Sequence, residues 1–345
     1  MENKLEALGW SGFFQQQLSL DEYQDCRPFR VLEQHRDHLA VAGEALALDV
    51  PVQHSMPALT VGDWILLDAD NHFLRLLERK SLFSRKAAGS KVAEQLIAAN
   101  IDTAFLVCSL NQDFNLSRIE RYLALIHESG AEPAVVLTKA DLVDDIEGMI
   151  AQVRALDSML MVEAVNGTDA GSVEPLRAWC RPGSTIVFLG SSGVGKSTLA
   201  NTLIGAQSLD TGGIRDDDGK GRHTTTARSL HQLLDGGLLL DTPGMRELQL
   251  ADVESGLEKT FADILQMSTL CRFSDCQHQS EPGCAVLAAL EAGELEERRL
   301  LNYRKLMREQ EMNGASLAQK RSRDKELGKY YRSVQGESRQ RKKGR

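Results

Sequence analysis

The residues best suited to chemistry lie between Gly190 and Thr198, where the chain reads G-S-S-G-V-G-K-S-T (Gly190, Ser191, Ser192, Gly193, Val194, Gly195, Lys196, Ser197, Thr198). This fits the phosphate-binding pattern G-x-x-x-x-G-K-S/T. Glycines at those positions let backbone N–H groups curl around phosphate oxygens, and the helix beginning there turns its positive end toward the anion. Lys196 would reach the β- and γ-phosphates, and the Ser197 hydroxyl would ligate Mg2+. Ahead of the motif, T-I-V-F-L reads as a buried strand; behind it, Leu199, Leu203 and Ile204 recur at helical spacing. Strand, glycine loop and helix start together select a nucleoside triphosphate site over a chance glycine-rich turn.

A second stretch chooses the base. T-K-A-D (Thr138, Lys139, Ala140, Asp141) ends the apolar run A-V-V-L, which places it at the carboxyl edge of a sheet, where ligands bind. It resembles the guanine-reading pattern N-K-x-D. A carboxylate at Asp141 can accept from the ring N–H and the exocyclic amine of guanine together. Adenine offers no such pair and would strand the carboxylate, so the residue selects GTP. The stem of Lys139 would pack along the base plane. Thr138 stands where the pattern has asparagine, which alters the hydrogen bonds that brace the loop.

D-T-P-G (Asp241 to Gly244) closes the strand L-L-L. Asp241 is expected to support Mg2+, and the Gly244 N–H to meet the γ-phosphate. Between the two phosphate elements, G-K-G-R-H-T-T-T (Gly219 to Thr226) has the composition of a switch loop, with Thr224 or Thr225 closing over γ-phosphate and Mg2+. Met245 follows the D-T-P-G element where Ras-like enzymes carry a water-orienting glutamine. A thioether cannot orient water, so hydrolysis is expected to be slow alone and faster when a partner orders the site, with His223 or a partner group orienting the water. In an ordinary small GTPase the phosphate loop comes first. Here T-K-A-D precedes it and D-T-P-G comes last, so the chain is read as circularly permuted. That order hands the second switch directly to the C-terminal domain.

Beyond these motifs, Cys271, Cys276, His278 and Cys284 form C-x4-C-x-H-x5-C. Three thiols and an imidazole at that spacing suit one tetrahedral structural Zn2+ with no coordination position left open. Cys26, Cys108 and Cys180 stand apart and are assigned no chemistry.

The elements that must position these residues follow from periodicity. Residues 1–28 read as a short leader. Five short strand patterns between Phe29 and Arg79, punctuated by turn residues, suggest a five-stranded oligonucleotide-binding β-barrel over 29–85. Lys80 to Lys91 reads as a basic linker. Over 92–255, strands alternate with helices as in a doubly wound α/β sheet. One helix is read over Leu116 to Glu128, with Ser117 as its cap, and another over Leu142 to Leu156. Residues 256–314 are read as a zinc-binding helical domain with one long helix from Ala285 to about Met312, and 315–345 as a disordered basic tail.

Composition narrows the function. In 345 residues there is no apolar run long enough for a membrane span, and no export signal at the amino end. A cytoplasmic, reducing location follows as an expectation, in which six cysteines serve as thiols or metal ligands. Net charge is −9, yet Ala315 to Arg345 carries eleven Lys/Arg against three Asp/Glu. Such a tail suits contact with RNA despite an acidic total. Three function classes remain: a GTP-driven factor on RNA, a GTP-regulated protein-interaction switch, and a GTP-using kinase. The third is disfavoured because no acceptor site is apparent; salt dependence separates the first two.

Taken together, T-K-A-D, the phosphate loop, G-R-H-T-T-T, D-T-P-G and the zinc motif, in that order, resemble the RsgA (YjeQ) family of circularly permuted bacterial GTPases. N-x-D-F-N (Asn111 to Asn115) and R-I-E-R-Y (Arg118 to Tyr122) are similar to that family too. The resemblance implies the barrel, the permuted GTPase and the zinc domain. It also implies a monomer that binds the small (30S) ribosomal subunit and its 16S rRNA late in maturation, with GTP hydrolysis stimulated by the subunit and no DNA or membrane partner. One departure concerns the loop where an S-A element is expected, which reads V-N-G (Val165 to Gly167).

Overall fold

The computed structural model describes residues 4–86, 94–111, 113–205, 228–241 and 253–314. Three short helices, α1 (Lys4–Ala7), α2 (Gly12–Gln15) and α3 (Leu20–Asp25), occupy the stretch read as a leader. Five strands follow: β1 (Arg27–Gln34), β2 (His38–Ala42), β3 (Ala47–Pro51), β4 (Trp64–Leu67) and β5 (Phe73–Leu76). They pair antiparallel in the order β3-β2-β1-β4-β5. Phe29, Val31, Leu39, Val41, Ile65 and Leu67 fill one core between them.

The helices before β1 have a physical reason. W-I-L-L in β4 is buried at every position. Ile65 and Leu67 face the core just described, while Trp64 and Leu66 pack with Phe14 and Leu77 on the other side. A strand apolar on both faces needs two covers. Residues 4–25 supply the second, with the Trp10 ring edge-on to Trp64 at 4.9 Å between centroids.

The linker expected from Lys80 onward contains β6 (Leu82–Lys86), which pairs antiparallel with β7 (Glu94–Ala99). Then come β8 (Thr103–Ser109), α4 (Leu116–Ser129), β9 (Glu132–Thr138), α5 (Ile146–Arg154), β10 (Met161–Val165), α6 (Ala170–Val173), β11 (Thr185–Leu189), α7 (Lys196–Ile204), β12 (Arg228–Gln232) and β13 (Leu238–Asp241). Strands β10-β9-β8-β11-β13 lie side by side and parallel, and β12 is antiparallel to β13. Every residue of β8 and β11 is buried, as expected of parallel strands covered on both faces. One cover includes α4; the other includes α7. The chain runs outward from β8 to β10 and returns to lay β11 on the other side of β8. The sheet therefore reverses direction between β8 and β11, and the crevice at their carboxyl ends is where such a sheet binds ligands.

Two local readings are corrected. Asn115, not Ser117, caps α4: its side chain accepts the Arg118 N–H. The helix read over Leu142 to Leu156 begins only at Ile146, because Ala140–Leu142 forms a separate 3-10 turn and Asp145 caps α5.

The last described elements are α8 (Glu254–Thr260), α9 (Ala262–Ser268), α10 (Ala285–Glu291) and α11 (Glu297–Gly314). The single helix read from Ala285 is therefore two, interrupted where Gly293 adopts φ 76°. Helix α8 lies close on α4: a Cβ on Gly256 would stand 2.0 Å from the Ala124 carbonyl oxygen, a contact only glycine permits. Strand β12 also pairs with β1 through Glu33–Ser229 and Gln34–Arg228, so the first five strands and the parallel sheet are continuous.

Candidate functional site

The phosphate-loop sequence leaves β11 and turns back into α7 at the reversal point of the sheet. Gly190 takes φ 137°, and a Cβ there would meet the Val107 carbonyl oxygen at 2.2 Å, so glycine is required for the loop to lie against β8. The Lys196 ammonium folds over the loop and donates to the carbonyls of Gly190, at 2.7 Å, and Ser191. Ser197 and Thr198 occupy the first turn of α7.

T-K-A-D ends β9, two strands from β11, and meets the loop directly. The Thr138 hydroxyl, buried, donates to the Val194 carbonyl. The Lys139 ammonium donates to the Gly193 carbonyl at 3.1 Å. Lys139 adopts φ 60°, which directs Ala140 and Asp141 into the 3-10 turn at the sheet's carboxyl edge, with Asp141 exposed. Segments more than fifty residues apart thus share one rim. Threonine in place of asparagine still braces the phosphate loop, through a hydroxyl instead of an amide.

The V-N-G loop leaves β10 at the same edge. The Gly167 carbonyl accepts from Thr202 Oγ1 of α7 at 2.8 Å, and Asn166 holds its own turn by accepting from the Thr168 N–H and hydroxyl. Asp241 terminates β13, placing its backbone beside the phosphate-loop strand. His223, Thr224, Thr225, Gly244 and Met245 lie outside the described residues, as do the switch stretch Gly219 to Thr226 and the tail 315–345.

One residue at this rim was not anticipated. Arg118, in the first turn of α4, donates from Nη1 to Ser191 Oγ at 3.0 Å and also pairs with Asp113. Asn111 organises the approach, its Oδ1 accepting from Ser109 Oγ and the Asp113 N–H. The available signal was the N-x-D-F-N and R-I-E-R-Y similarity, which carried no role.

Away from this rim, Cys271, Cys276, His278 and Cys284 form the second cluster, their ligand atoms all within 4.8 Å of one another. Cys271 Sγ lies 3.8 Å from Cys284 Sγ; His278 Nδ1 lies 3.7 Å from Cys271 Sγ and 3.4 Å from Cys284 Sγ. Tetrahedral zinc with bonds of about 2.3 Å to sulfur and 2.0 Å to nitrogen requires edges of about 3.8 and 3.5 Å. The donor set fits that ion. Burial, with Arg304 nearby, holds the His278 imidazole below its ordinary pKa, favouring the neutral form that binds metal. By contrast, burial drives the Cys180 thiol up to about 12 and raises Cys108, which leaves both inert.

The RsgA GTPase family model matches residues 76–251, from β5 through the phosphate loop and past Asp241. The chain belongs to the RsgA GTPase family. It is 58% identical over 339 residues to the small ribosomal subunit biogenesis GTPase RsgA 2 of Vibrio parahaemolyticus, covering 98% of this chain and 95% of that one. It is 46% identical to the small ribosomal subunit biogenesis GTPase RsgA of Mesorhizobium japonicum over 90% of each chain. Its fold is similar to that of YjeQ from Thermotoga maritima (TM-score 0.61, 24% identity, 81% of this chain and 97% of that one). It is equally similar to that of YloQ, described as a circularly permuted GTPase (TM-score 0.61, 24% identity, 87% of this chain, all of that one). At that identity the two structures speak for the fold of this RsgA family member alone.

Proposed function

We propose that this chain is a GTP phosphohydrolase that binds the small ribosomal subunit and assists its late maturation, contacting 16S rRNA as a cytoplasmic monomer. The observation that carries the reading is the meeting of Thr138 and Lys139 with Val194 and Gly193, within a chain of the RsgA family. It supports reading the two segments as a guanine-binding turn and a phosphate loop that share one rim. Asp141 would accept from guanine, and the backbone N–H groups of residues 190 to 198 would cradle the phosphates. Lys196 would leave the Gly190 and Ser191 carbonyls for the β- and γ-phosphates.

Water attacks the γ-phosphorus in line as the bond to the β-phosphate oxygen breaks, giving GDP, inorganic phosphate and a proton. Mg2+, when bound, neutralises charge developing on the phosphate oxygens. Ser197 and Asp241 would hold it, with Thr224 or Thr225, and the Gly244 N–H would meet the γ-phosphate. His223 is our candidate for orienting the water, since Met245 cannot.

The antiparallel strands β1 to β5 are read as an oligonucleotide-binding barrel over 29–85, with the permuted GTPase over 92–255, a zinc-binding helical domain over 256–314 and a basic tail beyond. Zinc held by Cys271, Cys276, His278 and Cys284 would pin the loop between α9 and α10 as part of an RNA-facing module.

The deciding experiment is GTP turnover with and without purified small subunits, with ATP as the control. Turnover should be slow alone and rise at least about tenfold with subunits. Equal use of ATP would remove Asp141 from base selection. Stimulation by a protein but not by the subunit would move the reading to a protein-interaction switch.

A further inference from the structure

Arg118 joins the phosphate loop to a helix whose other end is gripped by the C-terminal module. At the reversal point of the sheet its guanidinium Nη1 is bonded to both Ser191 Oγ and Asp113. Two residues on, Glu120 is fully buried. Its carboxylate accepts from Arg298 at 3.0 and 3.2 Å, from Arg299 at 2.9 Å, and from Asn302, all on α11. Arg299 in turn makes a bidentate pair with Asp263 of α9 at 2.7 Å. Arg121 makes another with Glu309 of α11, at 2.7 and 2.6 Å. On the face against α8, the Gly256 N–H donates to Glu128 at 2.7 Å.

We propose that Arg118 is a positioning residue for the phosphate loop, and that α4 transmits the loop's state to the C-terminal helices. Lys196 now holds the Gly190 and Ser191 carbonyls. When it moves to a phosphate those carbonyls lose their donor, and Ser191 must reset with Arg118 attached to its hydroxyl. Helix α4 is a single 14-residue rod, so a displacement at its first turn reaches Glu120 and Arg121 undiminished. A buried carboxylate with three cationic or amide partners cannot let α4 slide past α11 without stranding charge, so the two helices move together. The inference rests on the rim being a nucleotide site, and nucleotide binding is therefore measured separately.

The test uses the full-length, zinc-loaded chain. Titration with a fluorescent GTP analogue gives affinity, and amide hydrogen exchange with and without a non-hydrolysable analogue gives the response of α11. Wild type should bind saturably, and exchange in α11 should change at least about threefold at saturation. Arg118→Ala should weaken binding about tenfold, within the usual range of coupling between sites, and abolish the α11 response at saturation. Arg118→Lys, which keeps the charge but loses the planar guanidinium, should recover binding more than response. At the contact of α4 with α11, Arg121→Glu and Glu309→Arg should each blunt the response, and the double exchange should restore it. A full α11 response in Arg118→Ala at saturation, whatever its melting temperature, would overturn the proposal, as would saturable wild-type binding with no α11 response. No saturable binding by wild type would bring down the nucleotide reading itself.

Discussion

Thr138 shows how a single hydroxyl can substitute for an asparagine. It is buried, and its bond to the Val194 carbonyl is the shortest tie between the two halves of the rim. Thr138→Val keeps the shape and removes the donor, leaving a loop carbonyl short of a partner at a cost of about 1–3 kcal/mol. GTP affinity should fall about fivefold with little loss of folded protein, read by equilibrium titration alongside a melting curve. Unchanged affinity would mean the bridge is idle. The motifs themselves were legible because their spacing is local: nine consecutive residues fold into the loop, and fourteen enclose the clustered three cysteines and histidine. Arg118 was not legible. Its partner Ser191 lies 73 residues away, and only the sheet's reversal between β8 and β11 brings them together.

At the scale of elements, strands were easier to read than what covers them. All five early strands carried the right alternation or apolar run, yet the helices before β1 read as a leader, because their purpose shows only once both faces of β4 are known to be apolar. Helix α3 is tied down by Glu22, which accepts from Arg75 Nε at 2.7 Å and Nη2 at 3.0 Å and from the Ser19 N–H. The Arg75 hydrogen bond, then the Ser19 N–H, lower the Glu22 pKa from 4.5 to about 2. A depressed folded pKa means that the pair's stabilisation is complete above the unfolded value of 4.5 and is lost as pH falls toward about 2. Between those limits Trp10 fluorescence should report loosening of the amino-terminal helices from Trp64 in the wild type, and Glu22→Gln should flatten that dependence. An identical acid profile in the variant would exclude Glu22 as the tie. Strand β7 and the break between α10 and α11 were missed for a related reason: E-Q-L-I-A-A has helical propensity, and only pairing with β6 makes it a strand.

For the molecule as a whole, the buried Glu120 cluster should make unfolding cooperative. The C-terminal helices share an apolar core with α4, through Leu123, Ile126, Leu257 and Phe261, and α11 also supplies the counter-charges for a carboxylate fully buried on α4. Losing them would leave that charge uncompensated, a penalty of about 3–5 kcal/mol. Zinc removal by chelation should therefore lower the melting temperature of the entire chain in one cooperative transition, with no early, independent melting of residues 253–314. Calorimetry distinguishes these outcomes, and two well-separated transitions would show that the cluster does not couple the parts. A further consequence lies in the pairing of β12 with β1. A parallel sheet ends in strands whose outward N–H and C=O groups can recruit a stranger's backbone, the usual seed of aggregation. The first five strands satisfy part of that row, so they act as a shield as well as a module. Excising them to isolate the catalytic portion would bare a sticky margin, and insolubility of the remainder would then reflect a lost seam, not a defective active site.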